Sequence, residues 1–310
     1  MNLPFGAMME LEAHGPDTYV GTGPTYPWEG LYGGQIVAQA LRSAELTVKP
    51  GHVPHSLHAY FLRVGDAEEP VRFEVERLRD GRTFVARQVV ARQSTGAILN
   101  MSASFQAKGA PTMDIQLARI PPVGQPEDAK DVSWSPLFEL RLVQGAGAGS
   151  TGWGGKGSRS TGLGGASSGG ANLGGTGLGG TAAGSAAGAG AEDLQSSCSW
   201  IRWAADLGEE QAVHAAALAY ASDSGPAWIA ESLHATRGSP AAPWRPVSLD
   251  HAIWFHRPFR CDQWLLVEAS TGSLHESRGL TQGRVFSRDG ALVASVAQEV
   301  FLRRPRPGLP

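Results

Sequence analysis

The chain has 310 residues, with 26 Lys and Arg against 29 Asp and Glu and a formal charge of -3 at pH 7. This near-balance argues against a nucleic-acid groove or a polybasic membrane surface, and no run of apolar residues is long enough to suggest a membrane span. The two cysteines, Cys198 and Cys261, are too few for a disulfide scaffold and lack metal-ligand spacing.

Met1 to Ala13 shows no basic stretch followed by an apolar one, and the last residues, Arg306 to Pro310, are not a Ser-Lys-Leu type signal. The expectation is a cytoplasmic, reducing setting.

In chain order, a short strand is expected near Thr18–Thr22. Gly33-Gly34 then opens a run with Ile36, Val37, Ala40, Leu41 and Ala44 at helical spacing. His55-Ser56-Leu57-His58-Ala59-Tyr60-Phe61-Leu62-Arg63 reads as a strand, followed by strand-like segments Val71–Leu78, Thr83–Arg92 and Ala97–Gln106. Ser94-Thr95-Gly96 supplies a hairpin turn between the last two.

Twenty of the 41 glycines lie between Gly145 and Gly190, mixed with Ala, Ser and Thr. Such a stretch cannot bury enough apolar surface to offset its ordering entropy, so it reads as a disordered linker. It contains two chance motif matches. Gly147-Ala148-Gly149-Ser150-Thr151-Gly152 fits a dinucleotide fingerprint, and Gly165-Ala166-Ser167-Ser168-Gly169 fits a nucleophile elbow. Both need a strand before and a helix after, and neither flank has the required periodicity. They are set aside.

The second half repeats the first. A strand is expected near Cys198–Ala204, and Val213, Ala216, Ala217 and Tyr220 mark a helix that Gly225-Pro226 stops. Val247-Ser248-Leu249-Asp250-His251-Ala252-Ile253-Trp254-Phe255-His256-Arg257 matches the first-half strand with one residue inserted. Trp264–Ser270, Arg278–Ser287 and Ala291–Phe301 follow as strands, with Arg288-Asp289-Gly290 as the last turn. One strand, one helix and four antiparallel strands form an α+β unit whose helix must bury against the sheet. The expected fold is therefore two tandem hotdog domains. The boundaries are an N-terminal hotdog at 1–110, a connection at 111–144, the glycine-rich insertion at 145–191 and a C-terminal hotdog at 192–310.

Several ordered blocks carry a family resemblance. They are Gly33-Gly34-Gln35, His55-Ser56-Leu57-His58 through Arg63, Leu78-Arg79-Asp80-Gly81 and Ser102-Ala103-Ser104-Phe105-Gln106 in the first half. In the second they are Ser248 through Phe259, Ser277-Arg278-Gly279 and Ala297-Gln298-Glu299. Together they resemble the TesB-like thioesterase II family of bacterial and peroxisomal acyl-CoA thioesterases. The resemblance implies hydrolysis of acyl-CoA thioesters without a cofactor, with acyl-CoA as the partner, no nucleic acid or membrane, and homo-oligomers left open. It implies a catalytic Asp, hydroxyl and Gln in the second hotdog, which fall on Asp223, Ser248 and Gln298. The small Ser224-Gly225-Pro226 after Asp223 departs from the bulky residues common in the family, which bears on pocket shape.

These residue types suit the chemistry. A thioester carbonyl is electrophilic and a thiolate leaves readily, so a positioned and deprotonated water suffices. Asp223 is the one member of the trio able to take a proton, while Ser248 and Gln298 donate or accept hydrogen bonds. Backbone N–H groups near a helix terminus are natural oxyanion donors. Taken singly, each residue also has an ordinary reading: Asp223 as a turn residue, Ser248 as a polar filler, Gln298 as a satisfied strand residue.

Strand alternation places Ser248 and Asp250 on one face and His251 on the other, which excludes a serine-hydrolase line within that segment. His55, His58, His251 and His256 lack metal-site spacing and read as core or interface residues. Two alternatives remain: a hotdog hydratase or dehydratase, which would want a His beside Asp223, and a non-catalytic acyl-CoA-binding protein.

Overall fold

The computed structural model describes residues 3–26, 28, 30–109, 113–143, 196–225, 229 and 245–303. The glycine-rich tract with its two motif matches, and Pro226 of the helix stop, lie outside the described residues.

The chain begins with a short helix, α1 (Phe5–Met9), and two strands, β1 (Glu12–Ala13) and β2 (Thr18–Gly21). The first long helix is α2 (Gly33–Glu45), starting at the glycine pair as expected. Four antiparallel strands follow: β3 (His52–Phe61), β4 (Val71–Asp80), β5 (Phe84–Gln93) and β6 (Gly96–Ala107). After β7 (Lys130–Asp131) and β8 (Phe138–Leu142), the second unit runs through β9 (Ser196–Trp203) and α3 (Gln211–Ser222). It closes with β10 (Arg245–Ser248), β11 (Asp250–Phe255), β12 (Leu265–His275), β13 (Arg278–Ser287) and β14 (Leu292–Arg303).

All the strands share one sheet, in the order β1-β2-β4-β5-β6-β3-β11-β14-β13-β12-β9-β8-β7, with β10 also on β14. The second half of that order mirrors the first about the β3–β11 junction, where Leu57 lies opposite Ile253 and Ala59 opposite His251. Two hotdog units are thus joined edge to edge through their Ser-Leu strands, which removes an exposed edge from each. The helices α2 and α3 also pack against one another. The described residues from Gly34 to Leu41 of α2 are buried without interruption, as are those from Ala215 to Ser222 of α3. A helix buried on every side is a core element, enclosed here by the curved sheet and its partner helix.

Three features were not legible. The strand β8 pairs with β9, Phe138 opposite Trp203, within the segment read as a connection. Its five residues, Phe-Glu-Leu-Arg-Leu, are too short for periodicity to register. The helix α1 crosses to the other repeat, where the Phe5 ring lies 4.3 Å from that of Trp203. The Gln39 amide of α2 donates to the carbonyls of Met8 (3.0 Å) and Thr22 (2.8 Å), fixing the N-terminal strap against the helix. Phe5, Tyr32, Phe138, Trp203 and Tyr220 then form one core continuous across both halves. Each buried aromatic stabilises by roughly 1.5–3 kcal/mol.

Candidate active site

Asp223 is the residue after α3, still in right-handed helical conformation, and it is 5% exposed. Two pieces of backbone bring partners to it. One is the N-terminus of α2, where the backbone at Gly33 and Gly34 closes on this end of α3 and the Gly34 N–H pulls the Asp223 carboxyl downward. The glycines allow this approach. A Cβ on Gly34 would lie 2.1 Å from the Tyr220 carbonyl oxygen, and one on Gly33 would lie 2.7 Å from Asp223 Oδ2. Tyr32, just before α2, fixes the same junction by donating from its hydroxyl to the Tyr220 carbonyl at 2.7 Å.

The other is β14, which carries the fully buried Gln298. The Gln298 amide nitrogen donates to Asp223 Oδ1 at 3.1 Å, to the Asp223 carbonyl at 3.2 Å and to Ser248 Oγ at 2.6 Å. The structure therefore brings Asp223, Ser248 and Gln298 together around one amide group. Ser248 accepts from Gln298, and its hydroxyl also pulls the Asp223 carboxyl downward.

The alternation argument for His251 fails, for a local reason. Ser248 lies opposite Val300 and Ala252 opposite Ala297, so the upper strand spends one more residue than its partner between these points. The extra residue is a bulge around Leu249 and Asp250, held by Leu249 N–H to the Glu299 carbonyl and Glu299 N–H to Asp250 Oδ1. A bulge resets the alternation, so Ser248 and His251 face the same side. His251, 0% exposed, lies with Nδ1 at 2.9 Å from Gln298 Oε1 and Nε2 at 2.9 Å from Ser222 Oγ. His251 and Ser222 were missed as members of the site. The sequence signal lay in their neighbours, since Ser222 precedes Asp223 and His251 follows the inserted residue.

The electrostatics separate the two titratable groups. Burial pushes the Asp223 carboxyl up to about 7, against the opposing pull of the Gly34 N–H, the Gln298 amide and the Ser248 hydroxyl. Burial pushes His251 down to about 4, so the ring is neutral at physiological pH. Such a carboxyl is half-ionised near neutrality, as a general base requires.

Among the described residues, the first repeat shows no such group. Counting back from each hairpin turn, the Thr281–Gln298 pair of the second repeat corresponds to Arg87–Ala103 in the first. There Arg87 is itself buried, donating to Thr47 Oγ1 at 2.7 Å and pairing with Asp80. Among the described residues no cluster of His, Cys, Asp and Glu is placed to hold a metal ion, and no helix is long and apolar enough to cross a membrane.

The tandem hotdog brings a buried carboxylate, an amide and a hydroxyl together near the junction of its two central helices, and its likenesses fall in the class of thioester hydrolases. Two family models match, described as the acyl-CoA thioesterase N-terminal domain over residues 24–106 and its C-terminal domain over residues 177–302. Human acyl-coenzyme A thioesterase 8 is 32% identical, covering 96% of this chain and 88% of its own. Acyl-CoA thioesterase 2 of Haemophilus influenzae is 31% identical, covering 88% and 87% respectively. The crystal structure of the acyl-CoA thioesterase II TesB2 from Mycobacterium marinum superposes with a TM-score of 0.73 at 31% identity, over 97% of this chain and 98% of that one. The chain belongs to the acyl-CoA thioesterase family, in its TesB-like thioesterase II branch.

Proposed function

We propose that this thioesterase hydrolyses acyl-CoA to a free fatty acid and coenzyme A with one water held by Asp223, Ser248 and Gln298 of the second hotdog, residues 192–310. The observation that carries the reading is the Gln298 amide nitrogen, which reaches both Asp223 Oδ1 and Ser248 Oγ. Asp223 takes a proton from the water as its oxygen adds to the thioester carbonyl carbon. The tetrahedral intermediate collapses with cleavage of the C–S bond, and the leaving thiolate receives the proton that Asp223 holds. The positive end of α2, in direct contact with Asp223, favours negative charge at this point. Tyr220, one helical turn before Asp223, also lines a cleft with Leu3, Tyr26, Trp134 and Leu137. That wall is apolar enough to receive an acyl chain.

A hydratase reading needs a His that exchanges a proton with the Asp. His251 is the histidine nearest in the network, and its ring nitrogens are engaged by Gln298 and Ser222 instead. The test is thiol release from a panel of acyl-CoAs run beside hydration of an enoyl-CoA. Thiol release that falls on the order of 10²-fold in Asp223→Ala is expected. Enoyl hydration without thiol release would move the protein to the hydratase class, and binding with neither reaction would make it an acyl-CoA-binding protein.

A further inference from the structure

A glutamine amide has two ends of nearly equal size, and only one orientation suits the proposed site. With its nitrogen toward Asp223 and Ser248, Gln298 donates to a carboxylate. Turned over, its oxygen would face the Asp223 oxygen at 3.1 Å, acceptor against acceptor. Something must hold the far end, and the contact there is the His251 ring at 2.9 Å.

The far end admits two self-consistent networks. In one, Ser222 Oγ donates to His251 Nε2, and His251 Nδ1–H donates to Gln298 Oε1, leaving the amide nitrogen for Asp223. In the other, every donor reverses and the amide oxygen is turned on Asp223. The tautomer of one buried imidazole therefore decides which face of the amide meets the reacting water. Ser222 sits beside Asp223 at the end of α3, so the chain Ser222–His251–Gln298–Asp223 closes on itself through adjacent residues.

We propose that His251 is a positioning residue, whose Nδ1–H holds the Gln298 amide with its nitrogen directed at Asp223 and Ser248, while the Ser222 hydroxyl donates to the bare Nε2. This rests on the reading that Gln298, Asp223 and Ser248 hold the hydrolytic water. A neutral His251 at the pH of catalysis, a consequence of its complete burial, is what makes a single tautomer meaningful.

The test compares three variants of the full chain. His251→Leu removes the donor. His251→Asn retains one, since its amide nitrogen falls near the place of Nδ1. Ser222→Ala removes the hydrogen-bond partner of Nε2. In His251→Leu, kcat should fall by about 10-fold or more with little change in KM, as expected for a misaligned catalytic amide. The acid limb of its kcat–pH profile should move upward, because the carboxylate loses an ordered donor. His251→Asn should recover most of both, and Ser222→Ala should fall between.

Equal losses in His251→Leu and His251→Asn with an unmoved acid limb would reduce His251 to a packing residue. A His251→Leu enzyme within twofold of the parent would overturn the proposal as well. Nitrogen-15 NMR of the unaltered enzyme is independent of how the variants fold. A Nδ1–H tautomer for His251 is expected, and the Nε2–H tautomer would overturn the inference. Gln298→Ala separates the two readings: parental turnover there would remove the water-holding site itself, whereas lost turnover with an Nε2–H His251 would remove only the positioning role.

Discussion

Gly33 and Asp223 belong to different repeats, yet they approach so closely that a Cβ on Gly33 would lie 2.7 Å from Asp223 Oδ2. The contact ties the start of one central helix to the end of the other. It sets how closely the two hotdogs must approach for the site to exist.

The glycine pair should therefore tolerate no side chain. Gly33→Ala places a methyl group 2.7 Å from Asp223 Oδ2 and should lower kcat by about 10-fold or more while leaving the protein folded. Gly34→Ala meets backbone, the Tyr220 carbonyl at 2.1 Å, and should cost about 1–3 kcal/mol of stability. Steady-state kinetics and denaturant melts check the two. Parental kcat in Gly33→Ala would show that the carboxylate is free to move aside.

Activity and stability should respond to pH in opposite senses through Asp223. The base form is required for turnover, so kcat should rise as pH increases through about 7, the value to which burial lifts this carboxyl. Between the ordinary carboxylate range and that value, the folded state holds a proton that the unfolded state has lost. Stability thus declines as pH rises across the window. Asp223→Asn removes the titration and should be more stable than the parent at pH 8 by roughly 1–4 kcal/mol. The two should differ less at pH 5, and a stability difference independent of pH would contradict the assignment.

If one water is held by three residues, their losses should not add. Asp223→Ala should cost on the order of 10²-fold in kcat. Ser248→Ala and Gln298→Ala should each cost less. The double variant Asp223→Ala/Gln298→Ala should be little worse than Asp223→Ala alone. Additive losses in folded proteins, with circular dichroism as the check, would indicate separate functions.

The repeats should be unequal. In the first hotdog Ala103 stands at the register position of Gln298, so Ser56→Ala should cost far less activity than Ser248→Ala. Equal losses would require a second water-holding site.

The glycine-rich tract should be dispensable. The strands on either side of it are neighbours, with Leu142 opposite Ser199 and Val143 N–H bonded to the Cys198 carbonyl. Because the chain leaves and returns at adjacent points, a short Gly/Ser linker in place of Gly145–Gly190 closes the same gap at slightly lower entropic cost. Thioesterase activity and solubility should be retained, and an insoluble or inactive replacement would assign the tract a structural role.

The sequence by itself determined the repeat, the α+β order within it and the hairpin turns. These depend on local periodicity and turn chemistry, and β5, β6, β13 and β14 fall within a residue or two of their expected bounds. It also carried Asp223, Ser248 and Gln298, through the family resemblance rather than through anything those residue types display alone. What only the tertiary structure decided was how they meet. The bulge between Ser248 and Ala252 is a property of pairing with β14, and no periodicity along one strand reveals an unpaired residue. For that reason strand alternation puts His251 on the wrong face, and nothing in the sequence singles out Ser222. Gly33 and Gly34 likewise read along the chain as the opening of a helix. Their purpose depends on Asp223 and Tyr220, far along the chain, approaching until no Cβ can stand between them. Local sequence encodes local geometry, whereas the site is made of contacts between elements that only packing brings together.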